Sequence, residues 1–173
     1  LEFRRVLFRS LQASASNAWN AALYDNLNFN FIRDIAPIAT VRRAGGIMEV
    51  NPSVSVRTVP EFIAYAKANP GKINMASAGI GSANHIFVAS FAMMAGIDLV
   101  HVPYRGGAPA LNDLIGGQGQ IIFSPLPESI AAIQKGKGRA LAGTASMPPQ
   151  TPPEGPTTRE SVPGFEARPR QGT

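Results

Sequence analysis

Apolar and polar positions alternate with two different periods along the chain. Residues 46–50 (Gly46-Ile47-Met48-Glu49-Val50), 73–76, 98–102, 121–123 and 139–142 are short apolar runs of strand length. Helical spacings lie between them. Thr58-Val59-Pro60-Glu61 is a capping box with proline in the first turn; Phe62, Ile63 and Ala66 follow on one face, and Asn69-Pro70-Gly71 stops the helix. Ile86, Phe87, Phe91 and Met94 give a second helix over residues 83–95, ended by Gly96. Residues 109–115, stopped by Gly116-Gly117, and residues 128–135 give two more. Strands alternating with helices predict an α/β fold, a mostly parallel sheet with helices on its faces. Upstream, residues 17–24 read as a short loop or helix, and residues 34–41 as a strand separated by a turn from 46–50. Asn51-Pro52-Ser53 breaks the pattern and reads as a crossing between lobes. After Thr144 the chain turns proline-rich (Pro148, Pro149, Pro152, Pro153, Pro156) and reads as loop.

The stretch with most chemistry is Asn74-Met75-Ala76-Ser77-Ala78-Gly79-Ile80-Gly81-Ser82-Ala83-Asn84-His85, a strand end, a glycine turn and a helix start. Gly79 and Gly81 permit positive φ and close backbone approach. Ser82 suits the N-cap. Unpaired N–H groups beside the positive end of a helix dipole favour an anion, a carboxylate in particular. By itself the turn is better explained as a plain strand-to-helix connection.

Composition narrows the chemistry. The 173 residues are 45% hydrophobic and 16% charged, a globular balance. With no cysteine and two histidines, disulfides, thiolate chemistry and a zinc site are not expected, and no cofactor or metal is implied. No apolar run approaches the roughly 20 residues that span a bilayer. The net charge of +5 sits largely at the ends: residues 1–10 contribute +2 and residues 161–173 +1, leaving +2 over residues 11–160. A nucleic-acid surface is therefore not expected. Residues 1–10, with Arg4, Arg5 and Arg9 interrupting any apolar core, do not resemble a signal peptide and read as a non-native leader.

Several co-linear segments resemble one family. They are Asn51-Pro52-Ser53, Tyr65-Ala66-Lys67-Ala68-Asn69-Pro70-Gly71-Lys72, Ser77-Ala78-Gly79-Ile80-Gly81-Ser82, His101-Val102-Pro103-Tyr104-Arg105-Gly106, Ala108-Pro109-Ala110-Leu111, Asp113-Leu114-Ile115-Gly116-Gly117-Gln118 and Val162-Pro163-Gly164-Phe165-Glu166. Together they resemble the Bordetella uptake gene family, the periplasmic solute-binding proteins of tripartite tricarboxylate transporters. The resemblance implies a type II periplasmic-binding-protein-like fold, two α/β lobes closing on a small carboxylate held mostly by backbone N–H groups of two opposed loops. It further implies a periplasmic location, membrane transporter subunits as partners, a monomer, and no enzymatic activity. The first-lobe strand and its Pro/Gly turn have no counterpart before Asn17, and the family's closing segments are missing. The expected division is a partial first lobe over 11–50, a second lobe over 51–122 and a truncated return to the first over 123–173.

On that resemblance Ser77, Ala78, Gly79, Ile80, Gly81 and Ser82 are expected to contact the ligand through backbone N–H groups or hydroxyls. Ser82 as a plain cap is an equal reading. His85, near the third helical position, would be neutral beside a helix N-terminus and could donate one hydrogen bond, or could simply pack. His101, between Val100 and Val102, reads as structural. Ser16 and Asn17 stand where the family shows a polar cleft pair, with a turn role equally open. Tyr104 follows a strand end, where parallel sheets present ligands; Arg105 could steer an anion but reads better as solvated. Ser124 replaces an acidic residue of many relatives, which implies a ligand without an amino group, a dicarboxylate or aromatic acid. The alternative is a small α/β enzyme, a hydrolase or nucleotide binder, using residues 77–85. Against it, the turn misses the last glycine of G-x-G-x-x-G, has no phosphate-loop lysine, and offers no carboxylate to orient His85.

Overall fold

In the computed structural model, the described residues are Asn26, residues 30–34 and residues 46–143. The readings for residues 11–25 and 35–45, and for the proline-rich tail, lie outside them. A short helix α1, Phe31–Asp34, takes Asp34, which the sequence places in a strand. The Asp34 carboxylate accepts from the Asn30 N–H (2.7 Å) and pairs with Arg33 (2.6 Å), closing that turn.

From residue 46 the chain alternates strictly: β1 Gly46–Val50, α2 Val59–Ala68, β2 Asn74–Ser77, α3 Ala83–Ala95, β3 Val100–Pro103, α4 Gly107–Ile115, β4 Ile121–Pro125, α5 Leu126–Gln134 and β5 Arg139–Gly143. The caps are those the sequence predicts. Thr58 Oγ1 accepts from the Glu61 N–H at 3.3 Å, and Glu61 reaches back to the Arg57 N–H at 2.8 Å. Ser82 Oγ accepts from the His85 N–H, and Gly96 closes α3 in the left-handed conformation.

The five strands form one sheet in the order β3-β2-β4-β1-β5. β2 is parallel to both β3 and β4, while β1 runs antiparallel to its neighbours β4 and β5. Four strands thus point one way, each reached from the previous one by a crossover helix, and β1 alone opposes them. β1 pairs along its length with β4 and β5, so residues 46–50 and 121–143 share one sheet with residues 74–103.

The larger core lies on the face covered by α2 and α3. Phe62, Phe91 and Phe123 meet there, with ring centroids 6.4 and 5.8 Å apart in sequence, over Met48, Val50, Met75 and Ile121. On the opposite face Ala76 and Ile122 pack under Ala110 and Leu114 of α4. Asn51 ties the layers together: its Nδ2 donates to Leu114 O at 2.5 Å and its Oδ1 accepts from the Ser53 N–H at 2.8 Å.

One buried group breaks the apolar pattern. Glu49 of β1 is completely buried, and neither carboxylate oxygen has a hydrogen-bond partner. Burial pushes its pKa up; the Ser129 and Ser124 hydroxyls lie near enough to oppose that shift but make no well-aligned hydrogen bond to it. A Cβ at Gly138 would overlap Glu49 Oε1, so a side chain there requires the Glu49 carboxylate to move.

Candidate functional site

β2 lies between two parallel neighbours, and its C-terminal end runs into the glycine turn at the sheet edge where parallel strands present ligands. The turn is held from within. Ser77 is fully buried; its Oγ accepts from the Gly79 N–H at 3.2 Å and lies 2.7 Å from His101 Nε2. Ser82 Oγ donates to Gly79 O at 2.7 Å while accepting from the His85 N–H at 3.2 Å, and the Ser82 N–H donates to the same carbonyl. Gly79 has φ +129° and Gly81 +74°, and a Cβ at Gly79 would stand 3.3 Å from Tyr104 O. Both glycines are needed for this path.

Ser82 therefore caps its helix and braces the turn together, so its hydroxyl is engaged. The N–H groups of Gly79, Gly81 and Ser82 are also engaged within the turn. Among the described residues, the N–H groups of Ala78, Ile80, Ala83 and Asn84 meet no acceptor. Asn84, which the sequence reading passed over, adds a buried Nδ2 with no partner. These donors gather on the first turn of α3 and the loop before it. Ile80, 62% exposed, stands at the tip.

The two histidines come together. His85 Nδ1 accepts from the Gly81 N–H at 3.2 Å, which makes that ring neutral with its proton on Nε2. His85 and His101 stack with centroids 4.0 Å apart and planes 9° from parallel. Burial lowers both pKa values, and a proton on His85 would lower that of His101 further. His101, read from sequence as structural, thus belongs to the turn. The signal was the parallel register: Met75 pairs with His101 and Ser77 with Pro103, which puts His101 on the Ser77 side of the sheet.

The other candidates fall elsewhere. Tyr104 donates its hydroxyl to Asp113 Oδ2 of α4 at 2.5 Å, and that carboxylate raises the phenol pKa. Its backbone stays at the turn, the Tyr104 N–H donating to Ser77 O at 2.9 Å. Arg105 is exposed beside it. Ser124 is buried in β4 with its hydroxyl against that of Ser129, in the pocket of Glu49. Ser16 and Asn17 lie outside the described residues. Among the described residues, no three His, Cys, Asp or Glu side chains gather where a metal could sit, and no helix is long and apolar enough to cross a membrane.

The fold thus sets a braced glycine turn, with N–H donors that meet no described acceptor, at the parallel strand ends of a helix-flanked α/β sheet. Comparison with known proteins makes the class specific. Residues 9–170 match the family model for the tripartite tricarboxylate transporter family receptor, TctC, and the chain belongs to that family. Among its relatives, the UPF0065 protein in the tcbD-tcbE intergenic region of Pseudomonas sp. (strain P51) is 32% identical over 145 residues, 83% of this chain and 43% of the relative. Protein BugT of Bordetella pertussis is 29% identical over 158 residues, 91% of this chain and 48% of the relative. Rpa4515 of R. palustris, solved with adipate, superposes with a TM-score of 0.77 at 31% identity, over 83% of this chain and 48% of that one. MatC from Rhodopseudomonas palustris, with bound malate, gives 0.80 at 25% identity, over 88% and 52%. The chain thus spans about half the length of the relatives it matches.

Proposed function

We propose that this chain captures a small carboxylate without an amino group at the 77–85 turn, as a periplasmic, monomeric receptor that passes its ligand to tripartite tricarboxylate transporter subunits. The observation that supports this reading is a set of donors without acceptors on a braced turn: the N–H groups of Ala78, Ile80, Ala83 and Asn84 and the buried Asn84 Nδ2. An anion at the start of α3 would satisfy them and meet the positive end of the helix dipole. Fold neighbours solved with adipate and with malate support a carboxylate as the ligand. Capture by lobe closure follows from the family: a ligand contacted from both sides favours the closed form in proportion to its differential affinity.

The hydrolase reading finds little support. Ser77 and His101 are within hydrogen-bond distance, but Ser77 is fully buried, and neither histidine has a described carboxylate to orient it.

A thermal-shift series with adipate, malate, citrate and aspartate tests the proposal. A ligand at 100 times its dissociation constant adds about 2.7 kcal/mol of stability. A melting shift with adipate or malate and none with aspartate is the expected pattern. A shift with aspartate alone would reverse the assignment of ligand class, and ester turnover would restore the enzyme reading.

A further inference from the structure

The two histidines are the only ones in the chain, and the fold stacks them against each other with each ring hydrogen-bonded to the turn that carries the unpaired donors. Each ring holds one loop group inward: His85 Nδ1 accepts the Gly81 N–H, and His101 Nε2 meets Ser77 Oγ, which itself accepts the Gly79 N–H. Two backbone donors that could face an anion are therefore tied, directly or through one hydroxyl, to a pair of imidazoles. We propose that this pair makes anion capture at the turn proton-coupled, with His85 taking the proton and releasing the Gly81 N–H, and His101 acting as the positioning residue that holds Ser77 and the His85 ring. The proposal rests on the carboxylate-binding reading and adds its regulation.

The proton balance is simple. A proton from solvent bonds to Nδ1 of His85, the lone pair that now accepts from Gly81; the Gly81 N–H is freed, and the ring gains one positive charge. Without an anion this step is opposed by partial burial, by the positive end of the α3 dipole and by loss of the Gly81 hydrogen bond. A bound carboxylate offsets all three, since it pairs with the imidazolium and accepts the released N–H. Stacking limits the pair to one proton, because a second charge would lie a ring's width from the first. No other described charge competes. α3 has no acidic residue in its first turn, and β2 (Asn-Met-Ala-Ser) and β3 (Val-His-Val-Pro) carry no other titratable side chain. The loop after β3 brings Tyr104, bonded to Asp113 of α4, and the exposed Arg105.

The sign follows. A ligand that raises the His85 pKa takes up a proton on binding, so affinity rises as pH falls through the bound-state pKa, by at most about tenfold per pH unit for one proton, and levels off below the free-state value. The second carboxyl of adipate still titrates as pH falls towards 6, so the ligand's own proton balance is measured on free adipate and subtracted.

The test uses the whole chain with histidine ring and glycine backbone 15N labels, His85→Gln and His101→Gln assigning the two rings. In the free protein we expect His85 as the Nε2–H form at pH 8, a His85 midpoint below 6.5, and a Gly81 amide resonance moving with that same midpoint. The His101 midpoint should also lie below 6.5, and it should rise in His85→Gln. Rings that titrate independently, or a Gly81 amide indifferent to His85, would overturn the proposal without any ligand present. Calorimetry with adipate in two buffers of different ionisation heat should then show net proton uptake near pH 6, abolished in His85→Gln. His101→Ala should weaken adipate binding, and His101→Gln, which can still reach Ser77, should restore most of it; equal affinity in both variants removes the positioning role. If the rings are coupled but adipate, malate and citrate all fail to bind at every pH, the carboxylate reading fails and takes the capture step with it. Binding with no proton uptake leaves that reading intact and sinks the coupling alone.

Discussion

Single residues decide the shape of the turn. Gly79→Ala forces a side chain into φ +129° and to 3.3 Å from Tyr104 O, and should cost about 1–3 kcal/mol by chemical denaturation. Gly96→Ala is its control: at φ +62° with open space around it, it meets only the backbone penalty of about 1–2 kcal/mol and leaves ligand affinity unchanged. Glu49 gives a pH prediction. Its folded pKa is raised above the unfolded value, so the native state holds the proton more tightly; stability is greatest below the unfolded pKa and falls as pH rises through the folded one. Glu49→Gln keeps the shape and removes the ionisation, so it should raise the melting temperature more at pH 8 than at pH 5. An equal gain at both would place the effect in packing. Neither glycine's partner nor the burial of Glu49 could be read from the chain, where Glu49 alternates like any outward strand residue.

Among the elements, the helix starts were the most legible. Thr58 and Ser82 cap where their side chains and spacing place them, because a cap is satisfied by residues two or three positions away. Thr58→Ala should cost about 1 kcal/mol in denaturant unfolding with no change in ligand response. Ser82→Ala should lose that amount and also adipate affinity, since the same hydroxyl braces Gly79 O. Equal behaviour of the two variants toward ligand would make the Ser82 brace dispensable. Strand existence was legible as well, from apolar runs of the right length. The pairing partner was not: the direction of β1 depends on where α2 returns the chain, a distance that no local pattern encodes.

Across the whole molecule, stability rests on the α2/α3 face of the sheet. Phe91 packs between Phe62 and Phe123, and Phe91→Ala should cost about 3–5 kcal/mol, a large share of a domain's stability, with one cooperative unfolding transition. Two transitions would mean that the sheet is not one folding unit. The amino-acid sequence by itself determined the alternation of strands and helices, the caps, the glycine turn and, through its co-linear motifs, the family, because each depends on neighbours along the chain. Only the tertiary structure decided that His101 serves the turn, that Ser124 faces Ser129 and a buried acid, and that the Tyr104 hydroxyl belongs to Asp113. Those contacts join residues on different strands and helices. They exist once sheet register and helix packing are set, and register is a property of the assembled sheet.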